Sequence, residues 1–239
     1  EGLLRATKEG AQETREIEEI PEIRLNALRE AALRYGVRGG LSRRSYEIRK
    51  MLEENEQLLD EIFNFNALLL DKNVLPPVLS EARHTLNQPA PDTIRVADAT
   101  YRIERQAQFV TAAPNWRDYL VRNFRYEVDK PVAILLPKSE AEMKLWRKYV
   151  TEGWAVGVAQ ADEIFVQSLS RLERDFKGMV LYRRLLAQGM ISKPYVAEAN
   201  MGVTGDENAI SVHDRVLRIT AQPRLEPNAA LWKPLAVPK

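Results

Sequence analysis

Gly36-Val37-Arg38-Gly39-Gly40 is answered about 117 residues later by Gly153-Trp154-Ala155-Val156-Gly157, and the reading of that echo decides the fold. Downstream of the first phrase an apolar helical pattern runs to Leu68-Leu69, followed by Pro77, the pair Glu81-Ala82 and the strand-like Ile94-Arg95-Val96-Ala97-Asp98. Downstream of the second the pattern ends at Leu185-Leu186. Pro194, Glu198-Ala199 and Ile210-Ser211-Val212-His213-Asp214 follow, and Arg218-Ile219 matches Arg102-Ile103. One residue is lost between Ala199 and Ile210, a change a loop absorbs. Similar phrases at a constant offset are the mark of an internal repeat. The sequence thus predicts an α+β fold, mainly helical, in which a long-helix-plus-β-hairpin unit is duplicated at about 28–106 and 145–222 and packs about a pseudo-twofold axis.

The glycines have two readings. They end helices, or, at the four-residue spacing of Gly36/Gly40 and Gly153/Gly157, they let two helix backbones approach closely. Ile23, Leu25, Leu28, Ala31, Ala32 and Tyr35 leave a helical stripe that the sequence ends at Gly36 and Gly39-Gly40, with Ser42 capping a new helix to Phe65. In the second half Ser139 and Glu142 have the spacing of a capping box. Phe165, Leu169, Leu172, Phe176 and Met179 form a narrow seam, matched by Ile48, Leu52, Asn55, Leu59 and Ile62. If the two seams face each other, Asn55 is a buried polar group in need of a partner.

Ile94 and Val96 alternate before Asp98, and Tyr101 and Ile103 after it, which predicts a hairpin turning at Asp98. Ile210 and Val212, a turn at His213-Asp214-Arg215 and a return strand from Val216 to Ile219 predict the second. Between the copies, the stretch from Pro114 to Leu120 reads as a short amphipathic helix, and Pro131 and Pro137 mark an extended connection. Residues 1–21 read as a polar N-terminal tether, 22–222 as a single globular domain, and 223–239 as an extended Pro-rich C-terminal arm carrying Trp232.

Composition sets outer limits. With 239 residues, 45% apolar and 29% charged, the chain buries a sizeable core. A net charge of +1 predicts no bulk basic surface, so no direct nucleic-acid contact is expected. The chain has no cysteine, hence no disulfide framework, zinc ribbon or thiol nucleophile. It begins at Glu1, which points to a processed or trimmed form with any signal peptide or lipid-bearing cysteine upstream.

Catalytic constellations are sparse. His84 and His213 each stand alone, outside any metal-ligand spacing. No Walker loop, G-x-S-x-G or G-x-G-x-x-G occurs. Glu81 and Glu198 occupy matching places and would suit a glycan hydrolase if a cleft brought either beside another carboxylate; the plainer reading has each, after a proline turn, cap the next turn or pair with an arginine. Asp98 and Asp214 read as turn residues. Arg38, Arg43, Arg44, Arg49 and Lys50 alternate with acids on one helix, a solvated face. The candidate partner-contact residues are Trp232, Trp116, Ile94, Val96, Ile210 and Val212, since tryptophans concentrate binding energy and hairpins offer free strand edges. Trp116 would also serve a peptidoglycan-binding module, the other rival.

Several motifs resemble one family. They are Ala27-Leu28-Arg29-Glu30-Ala31-Ala32-Leu33, Ile62-Phe63-Asn64-Phe65-Asn66-Ala67-Leu68, Leu75-Pro76-Pro77-Val78, Asn115-Trp116-Arg117-Asp118-Tyr119-Leu120, Gly178-Met179, Leu185-Leu186-Ala187, Gly202-Val203-Thr204-Gly205 and Asp214-Arg215-Val216-Leu217-Arg218-Ile219-Thr220. From about residue 24 to 233 the chain resembles the DotC family, which includes the TraI proteins of conjugative plasmids. The resemblance implies an outer-membrane lipoprotein of a type IVB secretion system, periplasmic and anchored to the inner leaflet. It implies a core complex with a DotD-like lipoprotein, a DotH-like subunit and further copies of the chain in a ring, and no enzymatic activity. No cofactor is expected, and the acylated cysteine would lie outside this sequence.

Overall fold

The computed structural model describes residues 21–121 and 132–233. The predicted tether lies outside these residues apart from Pro21, as does the connection at Pro131. Two compact units are present, one drawn from residues up to 57 and 120–169, the other from 58–119 and 170–239.

In the first unit, helix α1 spans Glu22–Glu54 without interruption. The predicted break at Gly36 and Gly39-Gly40 and the cap at Ser42 are therefore corrected. Glycine inside a helix costs about 1 kcal/mol relative to alanine, but here the missing side chains admit a neighbour. An added Cβ at Gly36 would lie 2.9 Å from the Trp154 amide nitrogen, and one at Gly157 2.8 Å from that of Leu41. Gly40 likewise faces the Trp154 carbonyl, and Gly153 that of Leu33. The close-packing reading of both glycine pairs is the one the structure adopts. Each contact joins residues 114 to 120 apart, increasing together along the chain, so the two helical segments run parallel.

The second segment of that pair is the beginning of helix α4, Glu140–Ala187. Its start shows why the sequence marked it. The Ser139 hydroxyl accepts the Glu142 amide at 3.2 Å, while the Glu142 carboxylate turns back to accept the Lys138 amide at 2.6 Å. Its end is a Schellman turn, with Gly189 left-handed at φ 70, its amide on Leu186 O and the Met190 amide on Leu185 O. α1 ends at Asn55, whose side chain donates to Met51 O. Asn55 is exposed there, not buried, because the helix stops before the seam reaches it. A separate helix α2, Glu56–Ile62, follows in place of a single helix to Phe65. No helix among the described residues is long and apolar enough to cross a membrane.

The second unit places strands around the rest of α4. Short strands β1, Val74–Leu75, and β4, Gln108–Phe109, pair antiparallel. Between them β2, Val78–Ala90, and β3, Thr93–Arg105, form one hairpin; β5, Tyr195–Gly205, and β6, Ile210–Ala221, form another. Helix α3, Trp116–Leu120, lies where the sequence placed it. The base of the first hairpin meets the core: Leu79, with Tyr101 and Ile103 beside it, packs with Tyr182, Leu185 and Ile191, and Gly178 leaves room for Val78. Burial raises the Tyr182 hydroxyl to about 12.

Both predicted turns shift. Asp98 and His213-Asp214-Arg215 are inside strands, and the chain reverses at Pro91-Asp92 and at residues 206–209. Proline with aspartate, and Gly205 before Asp206, supply the turn chemistry. The Asp206 carboxylate accepts the amides of Asn208 and Ala209 at 2.8 and 3.0 Å. The described part of the C-terminal segment includes one turn of 3-10 helix, Ala229–Leu231, and is stitched to the body. Pro223 is fully buried, and the Ser192, Glu226 and Lys233 amides bond to Arg224 O, Met190 O and Gln188 O. The contacts establish a parallel helix register; a duplication of the chain itself is a reading of the sequence.

Candidate partner-contact surfaces

The hairpins extend well beyond what holds them. Cross-strand pairs Leu86↔Val96 and Val203↔Val212 put each pair on one face of its ribbon. Ile94, two residues from Val96, and Ile210, two from Val212, fall on those same faces. Each ribbon therefore ends in an aliphatic triad, Leu86/Ile94/Val96 or Val203/Ile210/Val212, with all six residues 65–73% exposed. The sequence picked out four of the six. Leu86 and Val203 escaped because their partners become visible only once the turn, and so the register, is placed correctly.

Among the described residues neither ribbon has a third strand, so both outer edges of each carry backbone groups that no described strand pairs. A two-stranded ribbon is only marginally stable alone. Each contains one histidine at positive φ, His84 at 50 and His213 at 57, in the left-handed region unusual for a strand residue.

Trp116 is a different case. It is 2% exposed, so the structure corrects its proposed role as an accessible contact residue. Its indole donates to Asp60 at 2.7 Å, and the Arg117 guanidinium lies 4.3 Å over its ring while pairing with the same carboxylate. Arg117 and then Trp116 hold Asp60 below the ordinary carboxylate range. Beside it, Phe65 stacks on Tyr119 and meets Phe176 edge-on, with centroids 6.0 and 5.2 Å apart. The buried Asp175 accepts from Arg105 at 3.0 Å and Tyr119 at 3.1 Å. Burial, then the Asp175 charge, pushes the Tyr119 hydroxyl up to about 12. Trp232 is 41% exposed and donates to Glu226 O at 2.9 Å.

The carboxylates that suited a hydrolase are engaged by cations. Glu81 accepts from Arg184 at 3.0 Å and Arg83 at 3.1 Å; Glu198 accepts from Lys72 at 2.9 Å and Arg215 at 3.0 Å. Burial acts to raise Glu81, but Arg83 and Arg184 outweigh it and hold the group below its usual value. Lys72 and Arg215 depress Glu198. Both arrangements match the arginine-pairing reading.

Comparison with known proteins bears on what such a framework serves. No curated protein matches the chain. A family model, T4SS_TraI, described as "Type IV secretory system, conjugal DNA-protein transfer", matches residues 22–234. That span covers both units and both ribbons, and the chain belongs to this family of type IV secretion and conjugal-transfer components.

Proposed function

We propose that the protein is a structural, non-catalytic component of an outer-membrane core complex in a type IVB secretion or conjugation system. In this reading it is a periplasmic lipoprotein that brings a DotH-like subunit to the outer membrane together with a DotD-like lipoprotein. Further copies of the chain share the assembly, and the chain makes no direct contact with nucleic acid. The observation that supports this is the pair of ribbons with aliphatic tips and open edges. A partner that covers the triads removes apolar surface from water at about 25 cal/mol per Å². One that adds a strand satisfies the edge amides and carbonyls.

The test is affinity purification of the full-length precursor from native membranes, with co-purifying proteins identified by mass spectrometry. Recovery of DotD-like and DotH-like subunits in fixed ratio supports the scaffold; recovery of the chain alone, or with cell-wall fragments only, overturns it.

A further inference from the structure

A second site is suggested by charges that the fold gathers and neutralises only in part, through the Lys72–Glu198 pair. In the second unit, Leu69, Leu70, Lys72, Arg183, Lys193 and Val196 surround most of a pocket of about 260 Å³. Three cations line it against one carboxylate, Asp71. Among the described residues, neither Arg183 nor Lys193 has a carboxylate within ion-pair distance. Arg183 is half-buried and spends its Nη2 group on Leu69 O at 2.8 Å and Ala67 O at 3.5 Å. Those are neutral acceptors, so the positive charge persists and the Nε and Nη1 donors are left over. Lys72 bonds Glu198 at 2.9 Å with one of its three donors.

The backbone at this wall is unusual as well. Lys72 and Asn73 are both left-handed, at φ 61 and 56, inside a tight loop closed by the Leu70 amide on Val74 O. Two successive non-glycine residues in that region hold stored strain, which proteins keep where a side chain must be presented in a set direction. Here the strained loop brings Lys72 to the same pocket as Arg183 from α4 and Lys193 from the segment after it.

We propose that this pocket is an anion site that takes a phosphoryl group, with the Arg183 guanidinium as the planar donor and the Lys72 and Lys193 ammonium groups as flanking charges. Guanidinium matches the oxygen geometry of phosphate, and ammonium adds charge without a directional demand. The volume accommodates a phosphate with a small organic substituent, so a lipid headgroup and a free phosphoryl compound share the required chemistry. This site stands apart from the assembly role of the ribbons, and its failure would leave that role untouched.

The experiment is calorimetric titration of the purified chain with inorganic phosphate and with glycerol 3-phosphate. Vesicles of phosphatidylcholine, with and without phosphatidylglycerol, are tested in parallel. Lys193→Met alters an exposed residue that holds no fold contact among those described, and should weaken binding at least fivefold. Lys193→Glu should abolish it. Lys177→Met, whose amine pairs with Glu173 away from the pocket, should leave it unchanged. Arg183→Lys should also weaken binding, checked against an unchanged unfolding midpoint. Loss of vesicle binding in Lys193→Glu supports the site with a lipid source; phosphate binding without vesicle binding supports it with a soluble source. No binding of any probe, or equal weakening by Lys177→Met and Lys193→Met, would overturn the proposal.

Discussion

Arg24 and Glu142, 118 residues apart, meet through two parallel hydrogen bonds of 2.9 and 3.0 Å, and Arg44 reaches Asp162 at the same separation. The two ion pairs fix one register along parallel helices, with the glycine contacts between them. Arg24 also donates to the carbonyls of Ile134 and Leu136, so its guanidinium ties the approach to α4 to the start of α1.

The first pair predicts an acid response. Arg24, with the Lys138 amide, lowers Glu142 from 4.5 to about 2. A depressed carboxylate contributes stability that is complete above its unfolded pKa and is lost as pH falls from there through the folded value. The contribution, on the order of 2 kcal/mol, should disappear between roughly pH 5 and pH 2. Arg24→Met should remove it at neutral pH and flatten that part of the curve. Denaturant midpoints measured from pH 7 to pH 2 check this; parallel curves for the two proteins would refute it.

The glycines predict opposite outcomes for neighbouring positions. Gly40→Ala puts a methyl group against the Trp154 backbone, which cannot swing aside, and should destabilise by about 3 kcal/mol. Gly39→Ala meets only the Trp154 ring, 3.1 Å away, and gains helix propensity. It should fall within about 1 kcal/mol of the parent. Thermal unfolding of the two variants distinguishes them.

Trp116→Ala should cost roughly 3–5 kcal/mol, because it empties a buried site and strips Asp60 of a donor. The measurement is cooperative unfolding by near-ultraviolet circular dichroism. A variant as stable as the parent would remove Trp116 from the core.

The ribbon tips should behave the other way. Ile94→Ser with Val96→Ser, or Ile210→Ser with Val212→Ser, should change stability by no more than about 0.5 kcal/mol each, since these side chains are already in water. Partner recovery from membranes should fall severalfold. Unchanged recovery from both double variants would exclude the triads as contacts.

For the C-terminal segment, deleting residues 224–239 removes three backbone hydrogen bonds to residues 188–192 and the Leu225 pairing with Ile191. It should lower stability by about 2 kcal/mol and so confound any assembly assay. Trp232→Ala isolates the contact question, and its unfolding midpoint should stay close to the parent's.

The sequence by itself determined the features that rest on neighbours along the chain. Ser139 and Glu142 opened α4, and the spacing of Gly36/Gly40 and Gly153/Gly157 named the residues that interlock. A cap or an arginine partner for Glu81 and Glu198 was readable from the prolines before them, and the structure chose the cations, Lys72 among them. Tertiary structure decided what depends on distant neighbours. Gly36 and Gly40 continue a helix because a second backbone packs where their side chains would be. Trp116 is core because Asp60 and Arg117 enclose it from 56 residues away and from next door. The turns moved because strands exposed on both faces carry no burial alternation to set their ends. Only cross-strand pairing disclosed that Leu86 joins Ile94 and Val96, and that Val203 joins Ile210 and Val212. Hydrogen bonding within a helix or turn is local and can be read from sequence, whereas burial and strand register are settled by residues far apart in the chain.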